Sequence, residues 1–459
     1  METEEIEKTA PKKKEMNFED TVDNYVNTLK AQLNSVPVIM GALLSYCYAN
    51  ANKVSTFISE YGIKITENEQ TKNENTEEEK KEKNYIPTDK QIAFCKISKN
   101  VNNAFAALDL YPKNIVVSLT CVYDAFLGNL IRLIYQFRPG LLNSCEKKFS
   151  FSDIAKYESI EKMKEKIIEK EVESVLRESH IEHFSWLSKK LEVNLTNDLP
   201  SFKDFIEISE RRNLFVHTGG VVSEQYIDVC KKHGCNIDVT VGTKLDADRN
   251  YVKHTFCVLF EIGIKLSQVI WRIIDDKNGI RDADKYLNGV TYDLLNEGKF
   301  QLAKNLLEFS TKPYVKHKDQ IIEYMHKINK ALCFYMMGNK DECISELDKI
   351  DFSAVDVQFK LANLVLREKY DSAIQYMEPF SRIPEYGPEV YDEWPLFREF
   401  VKQECFLTEY KRIYKKDFES VDCNPAKWED SVQSAMQIIK EYKEKTGKDP
   451  SAKDDPVKE

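Results

Sequence analysis

The stretch Ile115–Tyr135, IVVSLTCVYDAFLGNLIRLIY, decides how the chain is to be read. It is apolar over a bilayer-spanning length, yet it carries Ser118, Thr120, Asp124, Asn129 and Arg132. A mid-span Asp costs about 2.5–3.5 kcal/mol on insertion scales, and Arg132 adds a similar charge. The segment therefore reads as a core helix of a soluble domain, with no membrane partner. Outward from it the periodicity stays helical. Lys90–Leu110 precedes it, stopped by Pro112, and Arg138-Pro139-Gly140 ends it. Nearer the N-terminus, Val22, Tyr25, Val26, Leu29 and Leu33 recur at helical spacing until Pro37, after which Val38–Ile58 forms a second helix.

Composition agrees. Among 459 residues there are only 15 Gly and 14 Pro, too few for the tight turns of sandwiches, barrels or propellers. The 24 Phe, 23 Tyr and 4 Trp exclude a disordered chain. The balance of 66 Lys+Arg against 76 Asp+Glu gives −10, which excludes a general nucleic-acid coat but leaves room for a local basic cleft. The 11 Cys are scattered and odd in number, as in a reducing cytosol, and METEEIEKTAPKKKE has no apolar leader segment. A cytoplasmic location follows as the expectation.

Six regions are expected. Residues 1–16 are a disordered tail, 17–64 carry N-terminal helices, and 65–88 are a charged linker whose core, 66–84, holds no hydrophobic residue. Residues 89–278 are a helical domain, 279–445 an array of helical hairpins, and 446–459 a second disordered tail. Within the helical domain, Ser152–Lys156 and a long Ser159–Leu191 helix are predicted, then one from Pro200 to about Val216. Ile237, Val239 and Val241 alternate as in a short strand, and Tyr251–Ile274 closes the domain.

Residues 294–307, 334–347 and 364–377 read LLNEGKFQLAKNLL, FYMMGNKDECISEL and LVLREKYDSAIQYM. Each has an apolar helix end, a turn at Gly298, Gly338 or Glu368, and a small residue (Ala303, Cys343, Ala373) five positions on. This resembles tetratricopeptide-type repeats, whose period is ~34 residues, although the spacing here is unequal. Such stacked hairpins present a surface for a protein or peptide partner.

No phosphate-binding glycine motif and no H-E-x-x-H occurs. His180 and His183 lack that spacing. Cys230, His233, Cys235, His254 and Cys257 are too loosely spaced for zinc, so neither metal nor cofactor is expected. The informative segment is 202–226, FKDFIEISERRNLFVHTGGVVSEQY, where Arg212, Asn213 and His217 form R-N-x3-H. Four residues apart on a helix, Asn213 and His217 share a face that Arg212 can reach. His moves protons near neutral pH, Arg grips phosphate, and Asn orients either. The bland alternative pairs Arg212 with Glu207 or Glu210 and lets His217 cap the helix end. A second copy of the pattern, Arg249 to His254 in RNYVKH, opens the closing helix, lacks the following Thr-Gly-Gly, and reads as a decoy.

ISERRNLFVHTGG, with TCVYDAFLGNLIRLIY before it, resembles the HEPN superfamily of helical domains carrying R-x4–6-H, over about 90–276. The resemblance implies an all-α fold: a HEPN-like bundle followed by the tetratricopeptide-like array. It implies a metal-independent endoribonuclease that cleaves RNA by 2′-hydroxyl attack, common among toxins and antiviral defence effectors. By the same resemblance Arg212 contacts phosphate, His217 is the acid–base group, Asn213 assists, and Arg211 and Asp124 are supports. The resemblance also implies that the active form is a homodimer through the HEPN-like region, with the motifs facing each other. The alternative is a non-catalytic dimerising scaffold.

Overall fold

The structure is a computed structural model that describes residues 15–67, 81–144, 157 and 159–419. Residues 1–14, the predicted Ser152–Lys156 helix, most of the linker and everything beyond 419, including the expected tail 446–459, lie outside the described residues. About 74% of the structure is helical. The chain is therefore all-α, and it divides into two compact units between Tyr286 and Leu287.

The first unit is built on two long antiparallel helices, α1 (Phe18–Tyr61) and α2 (Gln91–Phe137). Neither stops at its proline, which corrects the four shorter helices expected from Pro37 and Pro112. A mid-helix proline costs ~3 kcal/mol, so packing must offset it. The pairs Tyr25–Phe126, Gln32–Ser118 and Phe57–Phe94 set the antiparallel register. That register brings both prolines to one level of the pair. In the arm that the two helices form from there, the less exposed positions Val36, Met40, Leu43 and Cys47 of α1 repeat at the alternating four–three spacing of a coiled coil, as do Val101, Ala104, Leu108 and Tyr111 of α2. On the outside of this arm Val38 is 73% and Ile92 75% exposed. The arm ends in an antiparallel hairpin, β1 (Ile63–Glu67) with β2 (Lys81–Tyr85), where the polar composition predicts only linker.

The opposite half of α2 is enclosed. Val116, Leu119, Tyr123, Leu127, Leu130, Ile131 and Ile134 have no exposed surface. Thr88–Phe137 is the one described helix long and apolar enough to cross a membrane, but 56% of its apolar window is buried within the protein. Against it pack α3 (Ile160–Leu176), α5 (Phe202–His217) and α7 (Arg249–Ile274), while α4 (His180–Leu191) meets it through His180 and α6 (Glu224–Lys232) packs on α5. The single helix expected over Ser159–Leu191 is two, because the Ser179 side chain caps α4 by accepting from the Glu182 amide. The strand expected at Ile237–Val241 is an irregular segment. Its alternation arises because Ile237 and Val239 pack on Leu214, Tyr226 and Cys230. The α6 helix carries no expectation from the sequence.

The α7 helix closes the core. Tyr25 Oη donates to the Leu259 carbonyl at 2.6 Å, and the Tyr25 ring stacks on Phe126 at 4.0 Å. That ring lies flat against Gly263, where a Cβ would overlap it.

The second unit takes up the chain within α8 (Gly279–Asn296). It continues through α9 (Phe300–Ser310), α10 (Gln320–Met336), α11 (Lys340–Leu347), α12 (Val357–Leu366) and α13 (Tyr370–Ala373). The three turns at Gly298, Gly338 and Glu368 are alike. Each residue is left-handed, at φ 70°, 82° and 56°, and the next amide bonds back to Leu294, Phe334 or Leu364. Glu368 bears the left-handed strain that glycine avoids, roughly 1–2 kcal/mol. Its carboxylate accepts from Tyr335 and Lys340, which holds it there. Ala303, Cys343 and Ala373 are buried after their turns.

Gly263→Ala should lower the stability of the first unit by about 1–3 kcal/mol through overpacking against Tyr25. Gly289→Ala, where a Cβ meets nothing, should not. Urea unfolding of the two variants checks this.

Candidate functional site

The α5 helix presents the residues that the sequence singles out. Its N-terminal end is fixed by Ser201, whose hydroxyl donates to buried Glu261 of α7 at 2.9 Å. Its middle is fixed by Glu207. That carboxylate accepts from Tyr226 Oη at 2.7 Å, from Tyr251 Oη at 2.8 Å and from Arg211 Nε at 2.7 Å. The Arg211 guanidinium also lies over the Tyr251 ring, 4.0 Å from its centroid. Burial works against the Arg211 charge, but Tyr251 and Glu207 outweigh it and hold its pKa above the usual value. Burial, then Glu207, pushes the Tyr226 hydroxyl well above the usual phenol range. Arg211 is thus engaged in a structural network joining α5, α6 and α7.

Arg212 has a different setting. It is half-buried, its Nη1 donates to Asn213 Oδ1 at 3.1 Å, and its Nε is buried without a partner. It forms no ion pair, with Glu207, Glu210 or any other described carboxylate. His217 is the last residue of α5 and exposed. The cap there is made instead by Thr218, whose hydroxyl bonds the Leu214 and Val221 carbonyls. Gly219 and Gly220 follow at φ 62° and 91°, and a Cβ on Gly220 would meet the Leu245 carbonyl. Arg212, Asn213 and His217 therefore share the last two turns of one helix. The decoy pair Arg249 and His254 is exposed in the first turns of α7, with the His254 ring 6.4 Å from Tyr251.

Asp124 on α2 is engaged by a residue that sequence reasoning passed over. His180 Nε2 lies 2.9 Å from Asp124 Oδ1, across 56 residues of sequence. The His180 ring meets Phe205 edge-on at 5.5 Å, and His183 lies one helical turn further along α4, its ring 5.1 Å away. Burial, then the neighbouring His180, depresses the His183 imidazole to about 4. Glu210 of α5 feels the same neighbourhood: burial raises its carboxyl and His180 lowers it in part. The only available signal was the pair of histidines three apart in HIEH, which becomes informative once Asp124 is known to face it.

Cys230 and Cys235 belong to the apolar cluster around Leu214 and Tyr226, and burial raises both thiols. The Cys235 thiol bonds the Lys203 carbonyl. No metal-binding grouping of Cys230, His233, Cys235, His254 and Cys257 exists among the described residues. The chain matches no protein-family model, no curated protein and no solved structure.

The adjacent arginines should separate in a stability assay. Arg211→Ala leaves Glu207 buried without its cation and should cost about 3 kcal/mol. Arg212→Ala breaks no ion pair and should cost under ~1 kcal/mol. Equal losses in chemical denaturation would contradict these assignments.

Proposed function

We propose that the C-terminal end of α5 is the centre of a HEPN-type endoribonuclease acting on single-stranded RNA. One observation carries this reading: Arg212 is a half-buried guanidinium without a carboxylate partner, on the helix end that exposes His217. A cation held in that setting, in a chain of net charge −10, is placed to receive an anion. Phosphodiester is the anion whose cleavage also uses a nearby imidazole.

In the proposed step the 2′-hydroxyl oxygen attacks its own phosphorus. His217 accepts the hydroxyl proton as the P–O5′ bond breaks, and the 5′ oxygen takes a proton from a second imidazole. The products are a 2′,3′-cyclic phosphate and a 5′-hydroxyl. Arg212 offsets the charge that builds on the phosphoryl oxygens, and Asn213 fixes the guanidinium. Arg211 supports the site indirectly, by anchoring α5.

His217 is the only histidine on α5, so we assign the second imidazole to a second copy of the chain. A two-fold pairing presents the same patch twice. The apolar faces of α2 and α7 cannot supply the contact, since both are consumed by their own core. The α5 ends themselves must approach. The helical hairpins of the second unit are assigned to a protein or peptide partner. A cytoplasmic toxin or defence effector is the setting that fits a latent ribonuclease of this form.

Arg212→Ala and His217→Ala should each reduce cleavage of single-stranded RNA by about 10²–10⁴ while melting like wild type. Light scattering should give twice the 53.5 kDa chain mass. If the purified protein leaves RNA intact, or cuts it equally well with either variant, the reading fails and the non-catalytic scaffold takes its place.

A further inference from the structure

Asp124, His180 and His183 are the one group of His, Cys, Asp and Glu among the described residues whose donor atoms converge, all within 4.8 Å of one another. They come from two helices. The i, i+3 spacing puts both imidazoles on one face of α4, and Asp124 meets them from α2. Phe205 and Tyr123 wall the group, with ring centroids 5.5 and 6.1 Å from His180.

The second observation is His183 itself. The residue is 1% exposed, and neither Nδ1 nor Nε2 has a hydrogen-bond partner. The Val175 and Glu178 carbonyls lie close enough to attract a ring N–H, but neither meets hydrogen-bond geometry with it. Proteins seldom leave both nitrogens of a buried imidazole unanswered, and such groups call for an explanation. A core role would be served better by an apolar ring. One His183 nitrogen instead lies within 4.8 Å of both the Asp124 carboxylate and the His180 imidazole.

We propose that Asp124, His180 and His183 bind a divalent first-row transition-metal ion of the class that prefers imidazole, zinc or ferrous iron. Two imidazoles and one carboxylate make the donor set typical of those ions, with a further position open to water. Donors about 2.0–2.2 Å from a shared ion sit within roughly 4.2 Å of each other, so small side-chain rotations close the site. Imidazole nitrogens beside a carboxylate suit a transition-metal dication better than a monovalent ion. Bound there, the ion fastens α4 to α2 and gives both His183 and the Asp124–His180 pair a common partner. It takes no part in the cleavage step proposed for α5, so the two assignments stand or fall separately.

The test uses the full-length chain, stripped with chelator and titrated with Co²⁺ as a spectroscopic probe and Zn²⁺ by calorimetry. Wild type should take up one ion per chain, show visible ligand-field bands with Co²⁺, and melt at a higher temperature with Zn²⁺ present. Asp124→Asn and His180→Gln, at partly exposed positions, should each weaken binding by at least about tenfold and lose the bands. His183→Gln should do the same if it folds; the other two decide the matter if it does not. Absence of stoichiometric uptake by wild type overturns the proposal. Undiminished uptake in both Asp124→Asn and His180→Gln places the ion elsewhere and overturns it as well.

Discussion

The enclosed half of α2 is the constraint on which the first unit depends. A helix surrounded by apolar side chains tolerates a charge only if a neighbour answers it. Two positions break the apolar run, and each recruits a helix. Arg132 takes Glu169 of α3 in a two-pronged contact at 2.8 and 2.7 Å and adds Asn129 of its own helix. Asp124 takes His180 at the start of α4. The same two charges that speak against a membrane span in the sequence thus fasten α3 and α4 to α2.

The α5 helix shows how burial sorts neighbouring residues of one type. Arg211 and Arg212 are adjacent and chemically identical, yet a step of one residue turns the side chain through about 100°. Arg211 reaches Glu207 and Tyr251 and is consumed by structure. Arg212 turns away from that network and keeps its charge uncommitted. The left-handed glycines after His217 let the chain turn directly toward Leu245, which leaves the helix end open rather than wrapped.

Much of this was legible in the sequence because it rests on local spacing. The 3.6-residue period located α5, α7 and the outer ends of α2 to within a few residues, and the Gly298 and Gly338 turns announce themselves by their glycines. Three features were not legible, for physical reasons. Pro37 and Pro112 signal helix ends only if judged singly; that they sit at one level of two paired helices, which run on through them, is a tertiary fact. Polar residues in 66–84 conceal a hairpin because backbone pairing needs no apolar side chain. The Asp124–His180 contact joins positions 56 apart, and no spacing rule connects them. Sequence pattern likewise could not separate Arg211 from Arg212, since both fit the R-x4–6-H form.

The central claim is that the α5 end cleaves RNA through the substrate's own 2′-hydroxyl. It is tested most directly by product chemistry on a short single-stranded RNA, in chelator, beside the same strand carrying one 2′-deoxy substitution at the mapped cut. The account predicts 2′,3′-cyclic phosphate ends from the all-ribose strand and no cleavage at the substituted position. Cleavage of the 2′-deoxy position at an equal rate, or products bearing 5′-phosphate ends, would contradict it.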